Sequence, residues 1–368
     1  MGCCEATRPE LDGLVSTIDS TAAGWRSIDL LCSRRRVIQG LLVAAGGVAL
    51  GGCGHPSPPA ASTAPTKLRL AFCGQLLCVI PYEVARARGH FAANRLDVEL
   101  IYTRGGNAAM QALVGGAVDY AGTSFDVALQ AVANGAKVKR FASTGRLPLF
   151  ALAVAPARSQ QLQAVAQLAG TTVGVSALGN ADHALLLFLF NRARVDAASV
   201  RFAALGTNLL EALRLGQVDA AMVQEPALSL VVQAGGRELV NFMDLEDAQA
   251  HLGGPYEFMG VAVRADERDR RLPEMRQLAA ALVSGLTDTR SLPPDEVLAA
   301  LPAPLLAGSD KAQLSAIIDR YRLSLYPEGV TLSREAAERV EQSQYVAGLL
   351  QPGRLDLATL LDPAALSS

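Results

Sequence analysis

Lys67-Leu-Arg-Leu-Ala-Phe72 alternates polar and apolar positions, which predicts a half-buried first strand. Cys73 to Val79 is expected as a loop. Ile80 to Gly89 reads as a helix, with Pro81 tolerated in its first turn and Gly89 at its end, and Leu96 to Tyr102 reads as a second strand. The pattern A-L-x-x-G-x-V-D-x-A then occurs twice, at Ala112 to Ala121 and at Ala212 to Ala221. In each copy a helical stripe closes at Gly116 or Gly216, and an apolar strand begins at Val-Asp-x-Ala. The match extends upstream, where Val98 to Asn107 parallels Val200 to Asn208 with one residue of slippage. A short Gly-x-Val-Asp also recurs wherever a helix feeds a strand, but the longer order of strand, turn, helix, Gly and strand marks a duplicated α/β unit. Two such units leave a cleft between them, lined by loops at the carboxyl ends of parallel strands. Arg146 to Val154 and Tyr256 to Val263 are predicted strands that cross between the units. From Arg271 onward helices are expected at Glu274–Leu286, Pro294–Leu301, Asp310–Leu323 and Ser333–Leu350.

Composition narrows the class. With 368 residues, 50% of them hydrophobic and 18% charged, the chain can bury a core large enough for two lobes. A formal net charge of -2 with no long basic run in the body of the chain offers no general attraction to nucleic acid. The four histidines, His55, His90, His183 and His251, are scattered without ligand spacing, so neither a metal site nor a cofactor is expected.

The N-terminus changes the compartment. Ser33-Arg-Arg-Arg-Val-Ile-Gln39 leads into the apolar run Val37 to Leu50, which ends in Leu50-Gly-Gly-Cys53. The run is too short and glycine-rich to span a membrane comfortably but has the length of a signal-peptide core. It resembles a twin-arginine export signal closed by a lipoprotein cleavage box. Residues 1–53 are therefore expected as a signal peptide with Cys53 lipidated, and 54–66, rich in Pro, Ser and Ala, as a flexible tether. The expected location is the periplasm or cell surface, anchored to the membrane by lipid. A short buried helix with an incidental cysteine is the other reading. Cys73 and Cys78 remain in the folded part, either as a disulfide across a short loop or as two small apolar residues at a strand end.

The run Val84 to Leu100 (V-A-R-A-R-G-H-F-x-x-x-x-L-D-V-E-L) resembles the opening of the periplasmic solute-binding proteins of nitrate, sulfonate and taurine ABC transporters, a family grouped with the thiamine-pyrimidine synthase-like proteins. Gly105-Gly-Asn107, Gly116-Ala-Val-Asp119, Ala133 to Lys139, Leu168 to Val175, Gly216 to Ala220 and Glu225-Pro226 follow in the family's order. The resemblance implies an α/β, two-lobed periplasmic binding protein type II fold, with two doubly wound sheets joined by a two-strand hinge and C-terminal helices. It places lobe one at 67–145 and 258–368 and lobe two at 146–257. It also implies a monomer without catalysis that hands a small solute to ABC permease subunits. The alternative is an enzyme like the family's pyrimidine synthases, which use a cysteine-rich motif and a lysine-bound pyridoxal phosphate. That cysteine cluster is missing, and Lys67, Lys137, Lys139 and Lys311 lie in positions that give an aldimine little support.

Candidate ligand residues are those at strand ends, where several loops open helices with free N–H groups. In lobe one these are Cys73, Gly74, Gln75, Gly106, Asn107, Thr123 and Ser124. In lobe two they are Ser176 and Asn180. Asn107 and Asn180 read equally as helix caps. Arg104 and Arg146 are either charge-assisted partners of a solute anion or solvated surface arginines. Tyr256 is a candidate stacking surface, as are Phe72, Tyr82 and Phe125. The resemblance implies that Gln224 and Glu225 face the cleft, Glu225 either binding a solute amine or pinning the hinge. Asp119 and Asp219, despite repeating, read as structural. The first loop, Cys73 to Cys78, is less polar than a sulfonate binder calls for, which counts against an inorganic anion.

Overall fold

The two copies of the repeat fold alike in a computed structural model that describes residues 64–353 and 355–366. The expected export segment, Cys53 and most of the tether lie outside the described residues. Ten strands occur among the described residues: β1 (Thr66–Cys73), β2 (Leu96–Thr103), β3 (Tyr120–Ser124), β4 (Val138–Ser143), β5 (Ala151–Val154), β6 (Thr172–Val175), β7 (Arg201–Ala204), β8 (Ala220–Val223), β9 (Arg237–Asn241) and β10 (Met259–Arg264). They form two five-stranded sheets, ordered β2-β1-β3-β10-β4 and β7-β6-β8-β5-β9. In the first, β1 runs parallel to β2 and β3 while β10 is antiparallel to β3 and β4. In the second, β6 runs parallel to β7 and β8 while β5 is antiparallel to β8 and β9. Each sheet thus takes its antiparallel strand, next to the edge, from the segment that has just crossed from the other.

The repeated residues hold equivalent places. Gly116 (φ +76°) and Gly216 (φ +66°) adopt the left-handed conformation that ends the preceding helix. The Asp119 carboxylate accepts the Arg69 N–H at 2.7 Å, and its own N–H donates to the Arg69 carbonyl. Asp219 does the same to Thr172, at 2.8 Å. Each aspartate therefore pins the start of its lobe's central strand, the structural role expected of it.

Several element boundaries differ from expectation. The first helix spans Leu76–Ala87, so it begins inside the expected loop and carries Pro81 in its interior. Proline cannot donate to the carbonyl four residues back, which here belongs to Leu77. The Tyr326 hydroxyl donates to that carbonyl at 2.8 Å, so a C-terminal residue repairs the defect. Cys73 and Cys78 are joined as a disulfide that ties this helix to the end of β1.

The two lobe-crossing segments contain less strand than expected. They lie side by side through Tyr256 N–H to Arg146 O and Phe258 N–H to Gly145 O, but regular pairing begins only at Ala151 and Met259. C-terminal helices occur at Leu272–Ser291, Pro294–Ala299, Lys311–Leu325 and Arg334–Val346. Helix Arg334–Val346 packs on helices from both lobes, Phe125–Ala133 and Ala181–Ala193. Among the described residues no helix is long and apolar enough to cross a membrane.

Candidate functional site

The carboxyl ends of the parallel strands of both sheets face a shared cavity of about 470 Å³. Lobe one contributes Cys73 and Gln75 at the end of β1, Arg104 to Ala108 after β2, and Ser124 and Asp126 at the end of β3. Lobe two contributes Ser176, Asn180 and Asp182 after β6, Gly206 and Thr207 after β7, and Gln224 after β8. The first turns of the helices Gly106–Val114, Phe125–Ala133 and Ala181–Ala193 reach this space. Their N-terminal N–H groups give it a locally positive field.

Asn107 and Asn180 cap nothing with their side chains. The Asn107 amide donates instead to Asn180 Oδ1 across the cleft at 3.2 Å, and the Asn180 amide donates to Ser176 Oγ at 3.1 Å. A second bridge runs from the Gln130 amide to the Gly179 carbonyl at 3.1 Å. The lobes thus meet at the rim through three amide side chains and one backbone carbonyl.

Of the expected site residues, Cys73, Gln75, Arg104, Gly106, Asn107, Ser124, Ser176, Asn180 and Gln224 line the cavity. The others lie elsewhere, each for a local reason. The Gly74 N–H donates to the Thr103 carbonyl, between strand ends. Thr123 is fully buried in β3, and its carbonyl accepts from Arg140 at 2.7 Å. Arg146 turns away toward the Lys311–Leu325 helix, where its guanidinium donates to the Ser324 and Leu323 carbonyls at 2.9 and 2.6 Å. Glu225 is buried and folds onto the next helix, accepting from the Ser229 N–H and hydroxyl at 3.1 and 3.0 Å. The Tyr256 ring is buried, with its hydroxyl on Ser343 Oγ at 2.6 Å.

Residue-by-residue reading missed the cavity's aromatic floor. Phe150 and Phe258, at the starts of the antiparallel strands β5 and β10, meet edge to face with centroids 6.0 Å apart, and Met259 lies beside them. An antiparallel strand begins where its parallel neighbours end, so its first residues face the same space. That signal was present in the expected crossings but points to the site only once their direction in the sheet is known.

Electrostatically, the cavity holds one unpaired cation and two buried carboxyls. Arg104 has no ion-pair or hydrogen-bond partner among the described residues. Asp182 accepts from the Ser176 N–H and hydroxyl; burial pushes its carboxyl up and these bonds oppose the push. Asp126 is pushed up to about 6 by burial, with the charge of Asp182 adding to the effect. The Ser124 hydroxyl and Asp126's own N–H lie near enough to moderate the shift, but neither makes a hydrogen bond of proper geometry to it.

Behind the cavity Arg140 is fully buried and donates to the Thr123 and Phe258 carbonyls at 2.7 and 2.8 Å. Its fork thereby joins β3 to the start of β10, and Glu257 lies 3.9 Å from it. Among the described residues no cluster of three or more His, Cys, Asp or Glu is placed to hold a metal.

Two α/β lobes of one topology, a double crossing and a cleft lined from both sheets define the periplasmic binding protein fold. The chain belongs to the NMT1/THI5-like family, whose model matches residues 78–286. Solved structures of similar fold include a protein from Bordetella bronchiseptica RB50, 24% identical over 82% of this chain and 96% of that one, with a TM-score of 0.71. The alkanesulfonate-binding protein SsuA from Xanthomonas axonopodis pv. citri, bound to MOPS, is 21% identical over 82% and 99%, with a TM-score of 0.63. The periplasmic nitrate-binding protein NrtA from Synechocystis PCC 6803 is 14% identical over 82% and 87%, with a TM-score of 0.64. No curated protein matches the chain by sequence.

Proposed function

We propose that this protein is an extracytoplasmic substrate-binding lipoprotein of an ABC importer. It captures a small organic ion, of sulfonate, nitrate or taurine type or heteroaromatic, between its lobes and delivers it to the permease without changing it. The observation that carries the reading is the cavity itself, lined by polar side chains of both lobes and bridged at its rim by Asn107 and Asn180. A volume of about 470 Å³ falls in the range of small-molecule pockets. A site made of two lobes favours closure because the bound solute contacts both only in the closed form. Arg104 and the N-terminal helix turns suit an anionic group, and Phe150 and Phe258 suit an apolar or planar body. The SsuA and NrtA structures, which bind an alkanesulfonate and nitrate, support the anionic part of this reading.

None of the four lysines lines the cavity, so an aldimine-forming enzyme has no residue there to carry its chemistry. Thermal-shift and calorimetric screening of the full-length protein against sulfonates, nitrate, pyrimidines and aromatic acids tests the proposal. One binding site and a raised Tm are expected, with the ligand recovered intact. Failure of every ligand together with a pyridoxal absorbance band replaces this reading with the enzymatic one. The location has its own test. Cys53→Ser is expected to abolish lipid labelling and release the protein from membranes, and unchanged membrane association removes the anchor.

A further inference from the structure

We infer that the solute carries a hydrogen-bond-donating nitrogen, an ammonium or amino group, and that Asp126 receives it. The inference rests on the solute-binding reading above and specifies the ligand of the same cleft. Asp126 lines the cavity and is 1% exposed, yet neither of its carboxylate oxygens has a hydrogen-bond partner among the described residues. A buried carboxylate left without donors bears its full desolvation cost, so such groups are rare unless something else supplies the bonds.

The neighbours do not supply them: the Ser124 hydroxyl and Asp126's own N–H lie near but make no hydrogen bond of proper geometry to the carboxyl. Arg140 directs its Nη1 and Nη2 donors to the Thr123 and Phe258 carbonyls. Asp182 repels it, and is itself satisfied by Ser176. The contrast between the two acids is informative: both sit in the first turn of a helix facing the cavity, and only Asp126 is unpartnered. The missing donor therefore belongs to whatever fills the space.

Together with Arg104, a cation without a partner among the described residues, the cavity offers one group for an anion and one for a nitrogen donor. An amino-substituted acid answers both. Nitrate, with no donor, answers only Arg104.

Calorimetry with matched pairs tests the assignment: 3-aminopropanesulfonate against propanesulfonate, and 4-aminobenzoate against benzoate. The wild-type protein is expected to bind the amino member of at least one pair roughly tenfold or more tightly, the scale of one charge-assisted hydrogen bond. Asp126→Asn should reduce that preference to about twofold or less, read as the affinity ratio within each pair. A thermal melt of each variant verifies the fold, and Asp126→Ala repeats the test without an amide. Equal binding of both members of every pair overturns the inference and leaves the solute-binding reading standing. Retention of the amine preference in both variants also overturns it, because another residue then reads the nitrogen. Absence of binding by all four compounds overturns the inference and removes support from the parent reading as well.

Discussion

At the residue scale, Asn107 and Asn180 are not side-chain caps; both line the cavity and bond to each other across it. Each amide meets the other across the cleft, so both residues act on closure. Asn180→Ala removes the interlobe bond and the contact to Ser176 without uncovering apolar surface. Solute affinity is expected to fall about three- to tenfold, the value of one net hydrogen bond, with the Tm of the ligand-free protein little changed. Calorimetry on this variant and on Ser176→Ala checks it. Ser176→Ala should also lower stability by about 1 kcal/mol, because Asp182 then loses its hydroxyl donor. Unaltered affinity in both variants removes these residues from the site.

The charge state of Asp126 gives a pH prediction with a definite sign. Its folded-state value of about 6 lies above the 3.8 of an exposed aspartate, so the folded protein holds the proton more tightly. Its contribution to stability is full below about pH 4 and is lost as the pH rises through 6, a change of about 3 kcal/mol. The groups facing it are Asp182, Arg140 and the Tyr256 ring, and Arg140 keeps its charge throughout. Asp126→Asn is expected to raise Tm relative to wild type at pH 8 and to change it much less at pH 4. A melt series across that window checks the difference, and a benefit that grows toward low pH contradicts it. The buried carboxyl itself was not legible in the sequence, because only three-dimensional packing shows that the nearby Ser124 hydroxyl and Asp126 N–H make no hydrogen bond of proper geometry to it.

At the scale of elements, periodicity located β1, β2, the strands of the repeat and the main C-terminal helices because their buried faces recur at period two or near 3.6, but not β4 or β9. The error at Leu76 has a physical cause. An interior proline normally ends a helix, and nothing local indicates that a tyrosine 249 residues away will satisfy the carbonyl it frees. Tyr326→Phe tests that account. It keeps the ring's volume but leaves the buried Leu77 carbonyl without its donor, so denaturant unfolding should show a loss of about 1–3 kcal/mol. A loss near zero means that the helix tolerates the open carbonyl. The crossing segments show the same limit. Pro148 and the anchoring of Arg146 to the C-terminal helix interrupt what hydropathy alone presents as continuous strand.

At the scale of the whole molecule, the C-terminal helices bind both lobes. The Lys311–Leu325 helix holds lobe two, where Asn241 donates to the Tyr321 hydroxyl at 2.8 Å and the Ser324 hydroxyl donates to the Met243 carbonyl at 2.7 Å. The next residue, Tyr326, holds lobe one through Leu77. The proposed closure would then be a hinge rotation against a strap that reaches each side. Under the proposed closing mechanism, the bonds from Asn107 to Asn180 and from Gln130 to Gly179 belong to the closed form. Small-angle scattering is expected to match it when solute is present and to give a larger radius of gyration without solute. Identical curves in the two states contradict a closing cleft.

The doubled A-L-x-x-G-x-V-D-x-A unit, the order of the strands and the loops facing the cleft were legible along the chain, since helix ends, strand starts and buried stripes depend on neighbouring residues. The chain order also identified Arg104, Asn107, Ser176 and Asn180 as cavity residues. Which side chains turn away, as Arg146, Glu225 and Tyr256 do, was settled by partners tens of residues or more distant, or by the direction a helix takes after its first turn. The aromatic floor and the partnerless Asp126 belong to the same category. They arise where two sheets and a helix converge, and burial and hydrogen bonding at such a place are properties of the assembled fold.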